Sequence, residues 1–242
     1  MNEFFSFKRY AWLVKRQWFE NESIYKWGIA LMVLMVGLLF GLSGDWKTDT
    51  IPKLEQATPF FATVILFLYI YGAWFFESLC SNNKRMFYFS LPVMPLERIA
   101  VAFTFVMVLM PVLILIVFNM FDFIAVQFFN HIYGTSVKMF LKTAFLHHPP
   151  TGYMGSLLFA LLGFLANTSL FTLGSLMFGK KGLIISILFM IVFTVICALS
   201  GKLFFSACHP AYVSIYFVIL IHIHFIPIYW TVMYFVMKKK EA

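Results

Sequence analysis

The stretch LIISILFMIVFTVICALS, residues 183–200, decides the fold class because it carries no charge over a length close to that of a bilayer-crossing helix. An α-helix rises about 1.5 Å per residue, so about 20 apolar residues cross a hydrocarbon core about 30 Å thick. Five further mostly apolar stretches lie at residues 25–43, 60–79, 99–121, 153–178 and 212–237. The sequence therefore predicts an all-α polytopic membrane protein with six transmembrane helices.

Composition favours the same class. The chain of 242 residues is 62% hydrophobic and 12% charged, whereas soluble domains are about half apolar and about a quarter charged. The net charge of +8 does not indicate nucleic-acid binding, because the cations occur in short clusters beside apolar runs rather than in one continuous stripe. The three cysteines form neither a disulfide framework nor a metal-ligand spacing. We therefore expect the chain to be surrounded by lipid and to bind no nucleic acid.

The distribution of Lys and Arg predicts the orientation. Thirteen of the 18 lie in the N-terminal lead, the second-to-third connection, the turn at Lys180 and Lys181, and the C-terminal tail. Cytoplasmic connections carry such an excess, so both termini are predicted to be cytoplasmic and the location is predicted to be the bacterial cytoplasmic (inner) membrane. The predicted domain plan is a single transmembrane domain, residues 1–242, with an amphipathic helix in 1–24, six spans in 25–237 and a cytoplasmic tail in 238–242.

The N-terminal lead has the period of a helix. Its apolar residues recur at spacings of three and four and predict one stripe, formed by Phe4, Phe7, Ala11, Val14 and Trp18. Its cations are predicted to lie on another side: Lys8, Arg9, Lys15 and Arg16. This pattern predicts an interfacial helix lying flat on the cytoplasmic leaflet, with its cations toward anionic headgroups. Such a helix either only anchors the chain or also contacts a partner protein.

Polar residues within the predicted spans are candidate functional positions. His222 and His224 are two residues apart, so on a helix they point about 200° from each other and do not share a metal ion. One of them is interpreted as making a helix-packing hydrogen bond and the other as lining a polar cavity. Glu77 lacks the second acid or metal ligands of a hydrolase, and we expect it to pair with a cation of the next connection. Asn119 and Asp122 mark the outer membrane edge or line a wet vestibule.

No pattern predicts an enzyme. Ser175 with one of the two histidines would suggest an intramembrane serine protease, but Leu173 and Leu176 replace the glycines that expose such a nucleophile. Small-residue helix packing accounts for Gly163, Gly174 and Ser175. The Gly-rich phosphate loop G-x-x-x-x-G-K-[S/T] does not occur. We therefore expect no catalytic or metal-binding residue and no cofactor bound by this chain.

The second-to-third connection, SNNKRMFYFSLPVMPLER at residues 81–98, is unusually apolar for a cytoplasmic loop. Pro92 and Pro95 each interrupt a helix that crosses them, and Pro95 is well placed to begin the next one. An exposed apolar patch of this kind normally lies against a partner. The segment is therefore predicted to form a short helix and a fixed turn that contact a cytoplasmic protein.

The run Leu91–Arg98, LPVMPLER, preceded by Lys84 and Arg85, resembles the LP-(V/A)-(S/T)-x-x-E-(K/R) segment of permeases in the type-2 ABC exporter superfamily. Met94 stands where Ser or Thr is commoner in that segment. An amphipathic N-terminal helix, six spans, a short basic turn between the fourth and fifth and two cytoplasmic termini are also similar to the plan of that family.

The resemblance implies a function and partners. It implies that this connection is a coupling segment on a separate ABC ATPase subunit, which binds ATP and Mg, and that the N-terminal helix is the connecting helix beside it. The coupling residues implied are Lys84, Arg85, Leu91, Pro92, Pro95, Glu97 and Arg98. A second permease, identical or paralogous, completes the assembly, and an unidentified hydrophobic or amphipathic substrate is exported. The alternatives are a non-transporting membrane scaffold or assembly protein and an intramembrane enzyme.

Overall fold

The computed structural model of the chain describes residues 5–42, 53–77, 93–133, 153–205 and 212–241, with side chains over most of these ranges. These residues are almost entirely helical and include no strand. The helices, numbered in chain order, are α1 (Phe7–Glu20), α2 (Glu22–Leu42), α3 (Lys53–Phe75), α4 (Pro95–Phe103), α5 (Met110–Tyr133), α6 (Tyr153–Phe178), α7 (Gly182–Phe205) and α8 (Tyr212–Glu241). A π-helical segment, Thr104–Leu109, joins α4 to α5, and a 3₁₀ turn, Gly179–Lys181, joins α6 to α7.

The described residues confirm the predicted helical class, and their long apolar helices indicate a membrane protein. Within the described ranges, three helical stretches are long and apolar enough to cross a membrane: Glu22–Gly41, Pro95–Ile132 and Leu161–Ile196. Pro59–Phe75 is a shorter apolar helix. The helix α6 has the predicted bounds at both ends, and α8 begins at the predicted residue.

The third predicted span is longer than the sequence suggested. The helix does not stop at residue 121 but continues to Tyr133, because Phe123, Ile124 and Val126 extend its apolar character. Asp122 is completely buried rather than placed at an exposed membrane edge. The Asn119 amide donates to the carbonyl of Leu115 at 2.8 Å, so its polar group is satisfied by its own helix and does not end it.

The described helices form two compact units. The first unit contains α1 through Gln17, α3 from Leu68, α4 with the π-segment through Val108, α6 from Leu158, α7 and α8. The second contains the end of α1 from Trp18, α2, α3 through Phe67, and α5. Helices α1 and α3 and the helix that runs from α4 through α5 therefore contribute to both units.

Aromatic packing around Phe118 forms the core of the second unit. The Phe118 ring lies 4.9 Å from the ring of Phe60 on α3 and 5.4 Å from that of Phe40 on α2. All three side chains are buried. Gly37 lets α2 approach α5, because a Cβ there would lie 3.2 Å from the ring of Phe121. Such dense contacts hold helices together in lipid, where burial alone gives them little preference for one another.

The first unit is organised around a row of small polar residues on α6. Thr168, Ser169, Thr172 and Ser175 are all buried, and each hydroxyl lies within 3.0 Å of a backbone carbonyl one turn earlier. The small side chains also admit Gly72 of α3, where a Cβ would lie 3.0 Å from the Thr168 carbonyl oxygen. Close backbone approach and internally satisfied hydroxyls are typical of helix contacts in membranes.

The helices α6 and α7 form a tight antiparallel hairpin. Gly179 opens the turn with a φ of 57°, a left-handed conformation that favours glycine. Across the hairpin, a Cβ on Gly182 would lie 2.6 Å from the Gly174 carbonyl oxygen and 2.8 Å from the Cα of Ser175. Only a glycine fits there, since both contacts are with backbone atoms.

Replacing Gly182 with alanine should therefore open the hairpin. We expect Gly182→Ala to lower the free energy of unfolding by about 1–3 kcal/mol, the usual cost of overpacking, measured as a lower melting temperature in detergent. Gly28→Ala is the matched control, because a Cβ at that helical position meets no atom within 4 Å. It should leave the melting temperature unchanged or raise it. Equal melting of Gly182→Ala and the parent chain would contradict the packing described.

Candidate functional site

Three residues with different roles begin α4. Met94 is the N-cap, with an extended backbone (φ −73°, ψ 148°), and Pro95 is the first helical residue. Proline suits that position because its fixed φ is helical and its missing N–H has no partner there. Glu97 follows in the first turn, and its Oε2 accepts a hydrogen bond from the Met94 N–H at 3.3 Å. This bond is the half of a capping box that the glutamate supplies.

The Glu97 carboxylate also binds the N-terminal region. The Arg9 guanidinium donates to Oε1 through Nη2 at 2.9 Å and through Nε at 3.1 Å, and Nε lies 3.2 Å from Oε2. The Ser6 N–H donates to Oε1 at 2.7 Å. Glu97 is completely buried, and a buried carboxylate is very costly unless donors surround it. Ser6, Arg9, Met94 and Glu97, the Glu97 cluster, therefore fix α1 to the start of α4.

A second contact attaches α1 to the same face of α4. The hydroxyls of Tyr10 and Thr104 lie 2.5 Å apart. Thr104 Oγ1 also lies 2.8 Å from the Ala100 carbonyl oxygen, to which it donates its hydrogen, so the Tyr10 hydroxyl is the donor in the shared bond. Thr104 is seven residues after Glu97, two helical turns along the same face, and it begins the π-segment. Local π-helical geometry often marks functional positions.

The structure places the coupling residues implied by the resemblance in two groups. Pro95, Glu97 and Arg98 belong to α4, where Glu97 and Arg98 are 0% and 2% exposed. Glu97 holds the start of the helix, and neither side chain presents a surface to a partner. The remaining coupling residues lie outside the described ranges: Lys84, Arg85, Leu91 and Pro92.

The predicted N-terminal helix is present as α1, but Arg9 lies on a different face from the one predicted. Arg9 points toward α4 and pairs with Glu97 rather than facing headgroups. The predicted apolar stripe faces away from the protein: Phe7, Ala11 and Trp18 are exposed and Val14 is partly exposed, while Phe4 lies outside the described ranges. The cations Lys8 and Lys15 are exposed, and Arg16 is partly exposed. The protein-facing side of α1 instead carries the buried Leu13.

The intramembrane candidates do not converge on one site. Glu77 is partly exposed just after α3, His224 is exposed on α8, and the side chain of His222 lies outside the described ranges. Ser175 Oγ lies within hydrogen-bond distance of the carbonyls of Thr172 and Gly72, so its proton goes to backbone oxygen and not to a base. Among the described residues, no three His, Cys, Asp or Glu side chains are grouped to hold a metal ion.

Two clusters of cations lie close together in the first unit. The Lys240 ammonium donates to the Leu176 carbonyl, which brings the C-terminal end of α8 beside the turn that carries Lys180 and Lys181. A cation there complements the negative end of the α6 dipole. Trp230 of α8 packs edge-on against Phe103 of α4 at 5.1 Å. The helices α4 and α8 are therefore neighbours in this unit.

Sequence reasoning missed the partners that complete the attachment: Ser6, Tyr10, Leu13 and Thr104. The spacing of Tyr10, Leu13 and Gln17 is helical, and this second face could have been recognised. The pairing of Arg9 with Glu97 could not, because 88 residues separate them and no local pattern relates them. No protein-family model, curated protein or solved structure matches this chain.

Removing Arg9 should destabilise the chain through the carboxylate left behind. Loss of one partner of a buried ion pair costs about 3–5 kcal/mol, and we expect about 2–4 kcal/mol for Arg9→Ala because the Arg9 side chain is 35% exposed. Lys15→Ala, which removes a cation from the exposed side of the same helix, should change stability by less than about 0.5 kcal/mol. Thermal unfolding in detergent measures both, and equal melting of the two variants would contradict the Glu97 cluster.

A stronger acceptor at the N-cap should stabilise α4. In a full capping box a Ser or Thr hydroxyl accepts from the N–H of the third helical residue, whereas Met94 offers only a thioether, a weak acceptor. We expect Met94→Ser to raise the free energy of unfolding by about 0.5–1 kcal/mol. Met94→Ala controls for the loss of the methionine side chain. A Met94→Ser chain that melts no higher than Met94→Ala would show that the hydroxyl makes no cap.

Proposed function

We propose that this chain is the membrane subunit of an ABC exporter, which moves a hydrophobic or amphipathic substrate outward while a separate ATPase subunit binds and hydrolyses ATP with Mg. Two such permeases, identical or paralogous, assemble with the ATPases in the bacterial inner membrane. The chain crosses the bilayer six times through α2, α3, the continuous helix from α4 through α5, α6, α7 and α8. Both termini are cytoplasmic.

The Glu97 cluster carries the proposal. It lies at the start of α4, where the segment at residues 81–98 ends and the long helix begins. Through Arg9 and Ser6 the same carboxylate also holds α1. A displacement of Met94 or Pro95, at the end of this segment, would therefore act on two helices together.

This junction suits the transmission of force. Pro95 begins α4 at once, so a displacement of the preceding segment displaces the helix itself. The bonds from Arg9 to Glu97 and from Tyr10 to Thr104 make α1 move with α4. Rigid-body tilting of packed helices is a common way to convert a local displacement into a change of accessibility.

The charge distribution supports the proposed orientation. The tail lies beside the turn between α6 and α7, and in the proposed topology the start of α4 and α1 lie on the same side. These segments carry most of the Lys and Arg residues of the chain. An end rich in cations that flank apolar helices is typical of the cytoplasmic side.

Complex formation with an ATP-binding cassette ATPase tests the proposal. Purification of the tagged chain from its native host should yield a complex that hydrolyses ATP. The double change Lys84→Glu with Arg85→Glu should reduce recovery of the ATPase at least about tenfold, because it reverses two charges in the docking segment while leaving the buried Glu97 cluster intact. Loss of one or two charge-assisted contacts corresponds to a change of this size.

Lys138→Glu with Lys142→Glu is the matched control, since it reverses the same number of charges between the third and fourth predicted spans. The excess of Lys and Arg in the other connections places this one on the outer side. It should leave recovery of the ATPase unchanged. If a chain purified free of any ATPase transports its substrate after reconstitution, the proposal is wrong. Recovery of a stable complex without an ATPase would favour the scaffold or assembly protein instead.

A further inference from the structure

The outward surface of α1 combines cations with large aromatic residues. Lys8, Trp12, Lys15 and Phe19 follow one another at spacings of four, three and four, which places them in one line along the helix. All four are exposed, Trp12 to 52% and Phe19 to 61%. Phe7 and Trp18 flank this line and are also exposed. A helix surface exposed to water alone would not normally present four large aromatic side chains.

The cations of α1 have two different environments. Arg9 is held by the Glu97 carboxylate, and the Arg16 guanidinium lies 5.6 Å from the centre of the Trp12 ring. Lys8 and Lys15 point outward, about 10 Å apart along the axis at 1.5 Å per residue. No acidic residue occurs between Phe7 and Phe19, so the exposed line carries positive charge only.

The position of α1 in the chain selects its surroundings. The helix ends at Glu20, and α2, which is long and apolar enough to cross a membrane, begins at Glu22. If α2 spans the bilayer, a one-residue connection keeps the C-terminal end of α1 at the bilayer surface. Lysines interleaved with tryptophan and phenylalanine are suited to that interface, where rings enter the headgroup region and ammonium groups meet phosphates.

We propose that the line Lys8, Trp12, Lys15 and Phe19 is a binding surface for anionic phospholipid headgroups. The two lysines bind the headgroup phosphates, and the aromatic rings enter the bilayer surface beside them. The complementary charge and the exposed rings favour lipid over a protein partner as the occupant. This surface is a property of α1 itself and does not depend on an ATPase, so it can be tested whether or not the chain is an exporter subunit.

Amide hydrogen exchange in lipid nanodiscs tests the surface. The full chain is reconstituted in discs of phosphatidylcholine alone and in discs with about one third phosphatidylglycerol, and exchange is followed by mass spectrometry in peptides that cover Phe7–Glu20. Each lysine near an anionic surface shifts the binding equilibrium by about fivefold. Exchange in α1 should therefore be up to about 25-fold slower in the anionic discs, and 0.5 M NaCl should remove most of the difference.

Lys8→Gln with Lys15→Gln should abolish the dependence on lipid charge while leaving the Glu97 cluster and the melting temperature unchanged. The control Lys180→Gln with Lys181→Gln removes two exposed cations from the turn between α6 and α7. It should retain the dependence on lipid charge. Equal exchange in both kinds of disc would overturn the proposal, as would a charge effect that survives in the Lys8 and Lys15 variant. If exchange in α1 does not depend on lipid charge but slows as the number of chains per disc rises, the surface binds a second copy of the chain instead.

Discussion

The N-terminal half of the first unit depends on one constraint, the carboxylate of Glu97, which is buried away from water. Glu97 is completely buried, and the free energy of burying its charge is offset only if several donors point at its two oxygens. Two come from the region of α1, the Arg9 guanidinium and the Ser6 N–H, and one from the N-cap of α4. Because these donors belong to different parts of the chain, satisfying one charge also determines where a whole helix lies.

Uncharged buried groups elsewhere in the first unit also need hydrogen-bond partners. The hydroxyls of Thr168 and Thr172 each bind a carbonyl of their own helix, while Ser169 also accepts a hydrogen bond from the indole of Trp230 at 3.2 Å. These groups are small, so α6 can lie close to its neighbours, and no buried hydroxyl among them needs water. Lipid hydrocarbon offers no hydrogen-bond partner. The same residues therefore both allow close helix packing and hydrogen-bond their own polar groups.

Helix positions were predictable from sequence to the extent that hydropathy and turn residues determine them. The bounds of α6 were predicted correctly because Pro150 and Gly152 precede it and Gly179 follows it. The end of α5 was not, since Asp122 suggests a membrane edge only if its side chain must reach water, and in the fold it is buried. The attachment of α1 depends on a tertiary contact, and local periodicity cannot show which of four cations turns inward.

The three-residue turn between α6 and α7 has a consequence for biogenesis. Two long apolar helices joined by Gly179, Lys180 and Lys181 have no polar linker in which one could pause on the surface while the other enters the membrane. If both helices cross the bilayer as proposed, they would enter it together, as a hairpin whose closed end carries two positive charges. The glycine contacts that lock this hairpin would then be made at insertion, before the remaining helices assemble around it.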